Sequence, residues 1–231
     1  MTGRLYGLGV GPGDPELITL KALRILQAVP VIAYPAPDDG DSLVRAIAAA
    51  HIPPGRVEIV IRTPMLPGRF PAHDVYDRYA AEIAGHLAAG RDVGVLCEGD
   101  PFFYGSFMYL FERLAVRFPT EVVPGVSSLT AGAAAAGLPL ASRNETLVVV
   151  PAPLAEDVLD VRLSVAESAV VIKVGRHLDK VRRVLRRLNR EAAAIYVERA
   201  TMAGGRVLPL TAVADGPAPY FSLILVPAVA G

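Results

Sequence analysis

Along the first half of the chain, short unbroken apolar runs alternate with stretches whose apolar residues recur at helical spacing. Leu5–Val10, Val29–Ala33, Val57–Ile61 and Asp92–Cys97 are predicted strands. Pro15–Gln27, Ser42–Ala50, Asp74–Ala89 and Ser106–Phe118 are predicted helices, with Glu121–Val123 a further short strand. Asp14 suits the N-cap before Pro15, and Gly90 suits a left-handed stop after Ala89. Strand and helix in alternation define an α/β domain. After Gly125 the texture changes. Ser127–Gly137 reads as a small-residue helix, Leu147–Val150 and Val170–Val174 as strands, and Leu178–Arg190 as a helix with apolar residues at 178, 181, 184, 185 and 188. Ala193–Val197, Arg206–Thr211 and Tyr220–Val226 follow with short turns, which predicts an antiparallel end to the chain. The division is placed at residues 1–122 and 123–231.

Composition narrows the function classes. A chain of 231 residues that is 52% hydrophobic and 20% charged can bury a sizeable core. Lys+Arg and Asp+Glu both number 23, and this neutrality argues against a non-specific nucleic-acid binder. The lone Cys97 excludes a disulfide framework or a multi-cysteine metal site, and the four histidines lack metal-ligand spacing, so no metal is expected. The longest uncharged run, Val122–Ser142, is mostly Ala, Gly and Ser, which suits a packed helix better than a membrane span. The opening MTGRLYGLGV is broken by glycines and has no apolar leader segment, so a cytoplasmic protein is expected. Of the 23 cations 20 are Arg, a side chain that binds carboxylates in two-pronged fashion as Lys does not. Seven cations crowd Arg176–Arg190 against Asp179 alone. Its single apolar stripe makes the rest a solvated face, an RNA-facing or acidic-partner surface being the alternative.

Three loops could carry chemistry. Gly7-Leu-Gly-Val-Gly-Pro-Gly-Asp-Pro15 follows the first strand, but Pro12 stands where a dinucleotide fingerprint needs its third glycine. An Asp at the following helix start would also repel a pyrophosphate. Cys97-Glu-Gly-Asp-Pro-Phe-Phe-Tyr-Gly105 ends the most apolar strand. Its Glu98 and Asp100 suit a cationic ligand, or else a plain cap with an aromatic staple. Pro124-Gly-Val-Ser-Ser128 offers hydroxyls and backbone N–H groups to a carboxylate, or a simple N-cap. No Gly-x-Ser-x-Gly elbow supports nucleophilic hydrolysis.

Taken in order, GVGPGDPELITLKA from residue 9, EGDPFFYG from 98, VVPGVSS from 122, KVGRH from 173, YVERATMAGGRV from 196 and YFSLILV from 220 resemble the tetrapyrrole methyltransferases. These are the two-domain class of S-adenosylmethionine-dependent enzymes, and the likeness spans essentially the whole chain. Pro35 after Tyr34, the Thr63-Pro-Met65 segment and GDPFFYGSFMYLFERL resemble the branch acting on carbon 20 of precorrin-2. Relatives acting on uroporphyrinogen III tend to carry Asp after that tyrosine; Pro35 argues against their activity.

The resemblance implies a class III two-domain α/β fold, with a mostly parallel N-terminal sheet on the tetrapyrrole side of a cleft and a mixed C-terminal sheet on the cofactor side. It implies S-adenosyl-L-methionine held by Pro12, Glu98, Gly99, Asp100, Phe103, Ser127, Ser128, Val174, Ala200 and Thr201. Asp100 and Tyr104 are its candidates for assisting proton removal from the methylated carbon. Arg62, Arg69 and Arg143, on loops beside the motifs, are expected to clamp the substrate's carboxylates. A homodimer is implied, with no nucleic-acid or membrane partner. A sister class modifies ribosomal RNA or a diphthamide precursor, but Pro35, the Pro64-Met65 loop and neutral charge do not suit it. A non-catalytic tetrapyrrole carrier would not require intact cofactor loops.

Overall fold

A computed structural model describes residues 1–63 and 73–228. The chain divides into two compact units, Met1–Ser127 and Ser128–Gly231. The division falls five residues beyond the expected 122/123 because Pro124–Ser127 stays with the first unit: the Gly125 N–H donates to the Asp100 carboxylate.

In the first unit, β1 (Leu5–Gly9), β2 (Val31–Pro37), β3 (Val57–Thr63), β4 (Val93–Cys97) and β5 (Thr120–Val123) form one sheet in the order β3-β2-β4-β1-β5. Every pairing in it is parallel. Helices α1 (Leu20–Ala28) and α2 (Leu43–Ala48) cover one face, over Leu8, Ile32, Tyr34, Leu96 and Val123. Helices α3 (His73–Ala88) and α4 (Phe107–Leu114) cover the other, over Leu5, Ala33, Ile59, Val95 and Cys97. Both faces of β4 are therefore buried, which is why it reads as a continuous apolar run. Fully buried side chains such as Ile83 and Leu87 each contribute about 2 kcal/mol of transfer free energy.

Two elements of this unit depart from expectation in ways that bear on the site. The predicted helix over 15–27 is broken. Asp14 accepts from the Glu16 N–H and caps only a 3-10 turn at Pro15–Leu17, Ile18 is extended, and Thr19 caps α1 through the Ala22 N–H. The second strand, in turn, continues through Tyr34-Pro35-Ala36-Pro37. It pairs with β4 only as far as Ala33 but with β3 through Pro37. Proline lacks the N–H for a second neighbour, so Pro35 and Pro37 are admitted where β2 has lost one.

In the second unit, β6 (Leu147–Pro151), β7 (Ser168–Ile172), β8 (Ile195–Glu198), β9 (Arg206–Pro209) and β10 (Ser222–Val226) form a mixed sheet in the order β6-β7-β10-β8-β9. Only β6·β7 is parallel; β7·β10, β10·β8 and β8·β9 are antiparallel. Helix α5 (Ser128–Ala136) packs on one face over Val170, Val197 and Leu223, where Gly132 admits the Leu223 side chain. Helices α6 (Glu156–Ser164) and α7 (Leu178–Arg187) pack on the other, over Val171, Tyr196 and Ile224. Among the described residues no helix is long and apolar enough to cross a membrane.

Candidate functional site

In the first unit β1 sends its outgoing loop to the α1 face and β4 sends its own to the α4 face. These adjacent strands form a topological switch point, where ligands of parallel sheets bind beyond the carboxyl ends. The two loops are stitched together there. The Val10 N–H donates to Cys97 O at 3.0 Å, and the Gly99 N–H to Gly11 O at 2.8 Å. The loop after β5 joins them: a side chain at Gly9 would strike the Gly125 backbone at 2.6 Å and the Gly99 carbonyl at 2.7 Å. Gly9 and Gly125 are thus required by three backbones meeting, not by a dinucleotide turn. Asp100 locks the arrangement. Its Oδ2 accepts from the Gly125 N–H at 3.0 Å and its Oδ1 from the Phe102 N–H at 2.9 Å, so this carboxylate braces two loops.

Around this brace stand buried Pro12, Glu98 and a run of exposed rings. Burial pushes the Glu98 carboxyl up, against the pull of its own backbone N–H and that of Val44. Burial also pushes the Cys97 thiol well up, with Glu98 and Asp100 adding to the effect, so the thiol stays neutral and inert. Phe102, Phe103 and Tyr104 are 46%, 39% and 45% exposed, unusual for three consecutive aromatics. Phe103 and Tyr104 meet edge to face at 5.1 Å. Tyr104 has φ 57°, a left-handed conformation costly for a bulky residue and concentrated at functional sites.

In the second unit the expected residues Val174, Ala200 and Thr201 leave the carboxyl ends of β7 and β8, two strands that run the same way on either side of β10. Lys173, Arg199 and Thr201 all adopt positive φ, at 56°, 48° and 67°. These turns are tied to the chain entering β10: Arg199 N–H donates to Phe221 O at 2.7 Å, and Ala218 N–H to Gly175 O at 3.0 Å. Beneath them the Tyr196 hydroxyl, pushed up to about 12 by burial and by Glu198, donates to Glu198 Oε2 at 3.0 Å. Val174 is fully buried and follows β7 instead of ending it, so it can offer only backbone. Ser127 closes the first unit and Ser128, exposed, opens α5.

The three candidate arginines separate. Arg62, the penultimate residue of β3, donates through Nη1 to Pro37 O (2.6 Å) and Gly40 O (2.8 Å). Arg69 lies outside the described residues. Arg143 does not stand beside the second unit's cofactor motifs. Its loop feeds the amino end of β6, paired at Leu147 with the amino end of β7, whereas Val174 and Ala200 lie past the carboxyl ends. A five-residue strand, roughly 17 Å, intervenes.

The arginine-rich segment is also not simply a solvated face. Arg182 and Arg190 are 6% and 7% exposed. Arg182 bonds Glu191 and Asp215, each at 2.8 Å. Arg183, Arg186 and Arg187 pair with Glu156, Glu191 and, for Arg187, Asp160 as well. Sequence reading missed Glu156, Asp160 and Asp215 because they lie 27 or more residues from their partners, and Glu191 because it falls just past the end of the cation-rich segment. It also missed the Tyr34–Glu58–Arg45 cluster: the Tyr34 hydroxyl donates to Glu58 Oε2 at 2.5 Å while Arg45 forks onto both Glu58 oxygens. Only the alternation of Glu58, Val60 and Arg62 along β3 hinted at it.

Residues 4–214 match the family model of the tetrapyrrole (corrin/porphyrin) methylases, and the chain belongs to that family. Within it, the chain is 45% identical over 97% of its length to the precorrin-2 C(20)-methyltransferase of a Sinorhizobium species, covering 95% of that protein. It is 32% identical, over 98% of its length and 97% of the other's, to the cobalt-precorrin-2 C(20)-methyltransferase of Salmonella typhimurium. It is 42% identical over 97% of its length to the cobalamin biosynthesis protein CobIJ of Mycobacterium tuberculosis, of which it spans about half, 46%. Among solved structures, the uroporphyrin-III C-methyl transferase of Thermus thermophilus complexed with S-adenyl homocysteine superposes with TM-score 0.69 at 29% identity, covering 97% of each chain.

Proposed function

We propose that the protein transfers a methyl group from S-adenosyl-L-methionine to carbon 20 of precorrin-2, a step in cobalamin biosynthesis. The observation that carries this reading is the three-loop junction braced by Asp100 at the switch point of the parallel sheet. Greater identity to a protein named for precorrin-2 (45%) than to one named for its cobalt form (32%) supports the metal-free macrocycle.

The residues present fit the cofactor. Glu98 and Asp100 place carboxylates where a sulfonium amino acid would be held, and the exposed Phe103 offers it a ring face. When bound, S-adenosylmethionine supplies a methyl already activated by positive sulfur. Asp100 acts through position, keeping the loops after β4 and β5 at a fixed spacing so that Gly99, Ser127 and Ser128 meet the ligand pre-organised. Pro12 adds a rigid wall among the first unit's loops; in the second unit Val174, Ala200 and Thr201 are read as offering backbone groups, from turns where Lys173, Arg199 and Thr201 adopt positive φ. Tyr104, strained and exposed on the Asp100 loop, orients the macrocycle or passes on the proton lost from the methylated carbon. Among the described residues no cluster of three His, Cys, Asp or Glu could hold a metal ion.

The family resemblance extends the proposal to a homodimer working in the cytoplasm, which light scattering and fractionation test. The activity is tested by incubating the protein with S-adenosylmethionine and, separately, precorrin-2 and its cobalt form, following mass and absorbance. One added methyl on precorrin-2 is expected. Addition to neither substrate overturns the reading.

A further inference from the structure

A groove of about 490 Å³ opens in the first unit between α2 and the edge strand β3. Its floor is apolar: Ala36, Val60, Ala46 and Ala49. Its polar lining comprises Arg45 and Arg62, with Tyr34, Ser42 and Asp41. It opens towards the carboxyl end of the sheet, because Ala36, Arg62 and the Gly40–Ser42 loop lie where β2 and β3 finish.

The two guanidinium groups are not equivalent. Arg45 spends Nε and Nη2 on both oxygens of Glu58, so its charge is neutralised and the pair ties α2 to β3. Arg62 is held differently. Both its short bonds run from Nη1 to the carbonyls of Pro37 and Gly40, and no carboxylate among the described residues pairs with it. The Nε–Nη2 edge, the one that matches a carboxylate in two parallel bonds, has no partner among the described residues. A guanidinium with one edge locked by carbonyls and the other unspent is pre-organised for an anion, because little side-chain entropy is lost on binding. The apolar floor asks in addition for a short hydrocarbon stem.

We propose that this groove receives a carboxylate-bearing side arm of the tetrapyrrole, its carboxylate bound by the Nε–Nη2 edge of Arg62 and its methylene stem lying on Ala36, Ala46 and Val60. The groove is too small for the whole macrocycle and ample for one arm with part of the ring that bears it. The inference rests on the proposed function for the identity of the ligand. Arg45, Glu58 and Tyr34 are positioning residues that tie the groove's two walls together at a fixed spacing.

The test uses binding as well as turnover, so that the two proposals fail separately. Fluorescence titration compares uroporphyrin, which carries acetate and propionate arms, with coproporphyrin, in which the acetates are methyl groups. Kinetics follow precorrin-2. Two variants are used: Arg62→Gln, and Ala46→Leu, which fills the groove from the exposed face of α2 without touching Arg62. Both should raise KM for precorrin-2 about tenfold or more, the scale of a lost charge-assisted bidentate contact, with S-adenosylmethionine affinity unchanged. Both should weaken uroporphyrin by a similar factor. An unchanged KM and unchanged porphyrin affinity in either variant overturns the groove. Loss of cofactor affinity alongside would reveal a general collapse of the fold and overturn it equally. If wild-type protein methylates nothing but the porphyrin titrations still depend on Arg62 and Ala46, the subsite stands and the assigned reaction falls. A like loss for coproporphyrin identifies a propionate arm, and a loss confined to uroporphyrin an acetate arm; each supports the subsite.

Discussion

Glu98 and Asp100 are two residues apart and play different physical parts. The Glu98 carboxyl is raised by burial, so between the ordinary carboxylate range and its raised value the folded state holds a proton that the unfolded state has lost. Stability therefore falls as pH rises through that window and stays lower above it. Glu98→Gln removes the cost and keeps an acceptor for the Val44 N–H. Its melting temperature should match wild type near about pH 4 and exceed it near about pH 8, with weaker S-adenosylmethionine binding. Calorimetric melts at the two pH values check this, and an equal offset at both would sink it. Asp100 acts through two backbone N–H bonds, so Asp100→Ala should release Gly125 and lower cofactor affinity by about tenfold or more while leaving uroporphyrin binding largely intact. Isothermal titration with S-adenosylhomocysteine reads the loss; unchanged affinity would remove the brace from the site. The acidic loop was legible in the sequence because Glu and Asp bracket a glycine after an apolar strand. The brace was not, because its partner is a backbone amide 25 residues away.

At the scale of elements, strands buried on both faces and amphipathic helices were readable from periodicity alone, since nothing competes with burial there. Helix α6 was not. Its buried stripe reduces to Leu159 and Leu163, while Val161 and Val165 stand 64% and 76% exposed and blur the period. What holds α6 is the full burial of Leu159 and Leu163 in the second unit's core, to which the exposed pairs of Glu156 and Asp160 with Arg183 and Arg187 add little. Its far end is held by Arg190, whose two Nη atoms donate to Leu163 O, Ala166 O, Glu167 O and Pro227 O. The two kinds of arginine should differ sharply on removal. Arg190→Ala leaves buried carbonyls unsatisfied at the α6 end, the start of β7 and the tail after β10, and should cost about 2–4 kcal/mol. Arg183→Ala breaks an exposed pair and should cost less than about 0.5 kcal/mol. Urea unfolding by circular dichroism separates them, and equal costs would contradict the burial argument.

Over the whole molecule, neutrality is the sum of two unequal halves. Met1–Ser127 carries eleven Lys and Arg against fourteen Asp and Glu, and Ser128–Gly231 carries twelve against nine. The basic excess of the second unit comes from the segment around α7. There Arg182, Arg183, Arg186 and Arg187 are already committed to Glu156, Asp160, Glu191 and Asp215. Cations neutralised by neighbours about 3 Å away project little field beyond a Debye length of about 8 Å at physiological salt. A polyanion, whether a carboxylated macrocycle or RNA, is therefore not drawn to this helix from a distance. On the proposal above, capture depends on short-range contacts such as the Nε–Nη2 edge of Arg62, which has no partner among the described residues. Two outcomes follow. Raising NaCl from about 0.05 to about 0.3 M should change kcat/KM for precorrin-2 by less than about threefold, whereas steered association falls far more steeply. The double variant Arg183→Gln/Arg187→Gln should leave kcat/KM within about twofold of wild type, although it removes two cations from the more basic half. A steep salt dependence that the double variant abolished would make the arginine helix a landing surface. That result would return weight to the RNA-facing reading of the same residues, which fluorescence anisotropy with a labelled ribosomal RNA fragment would then test directly.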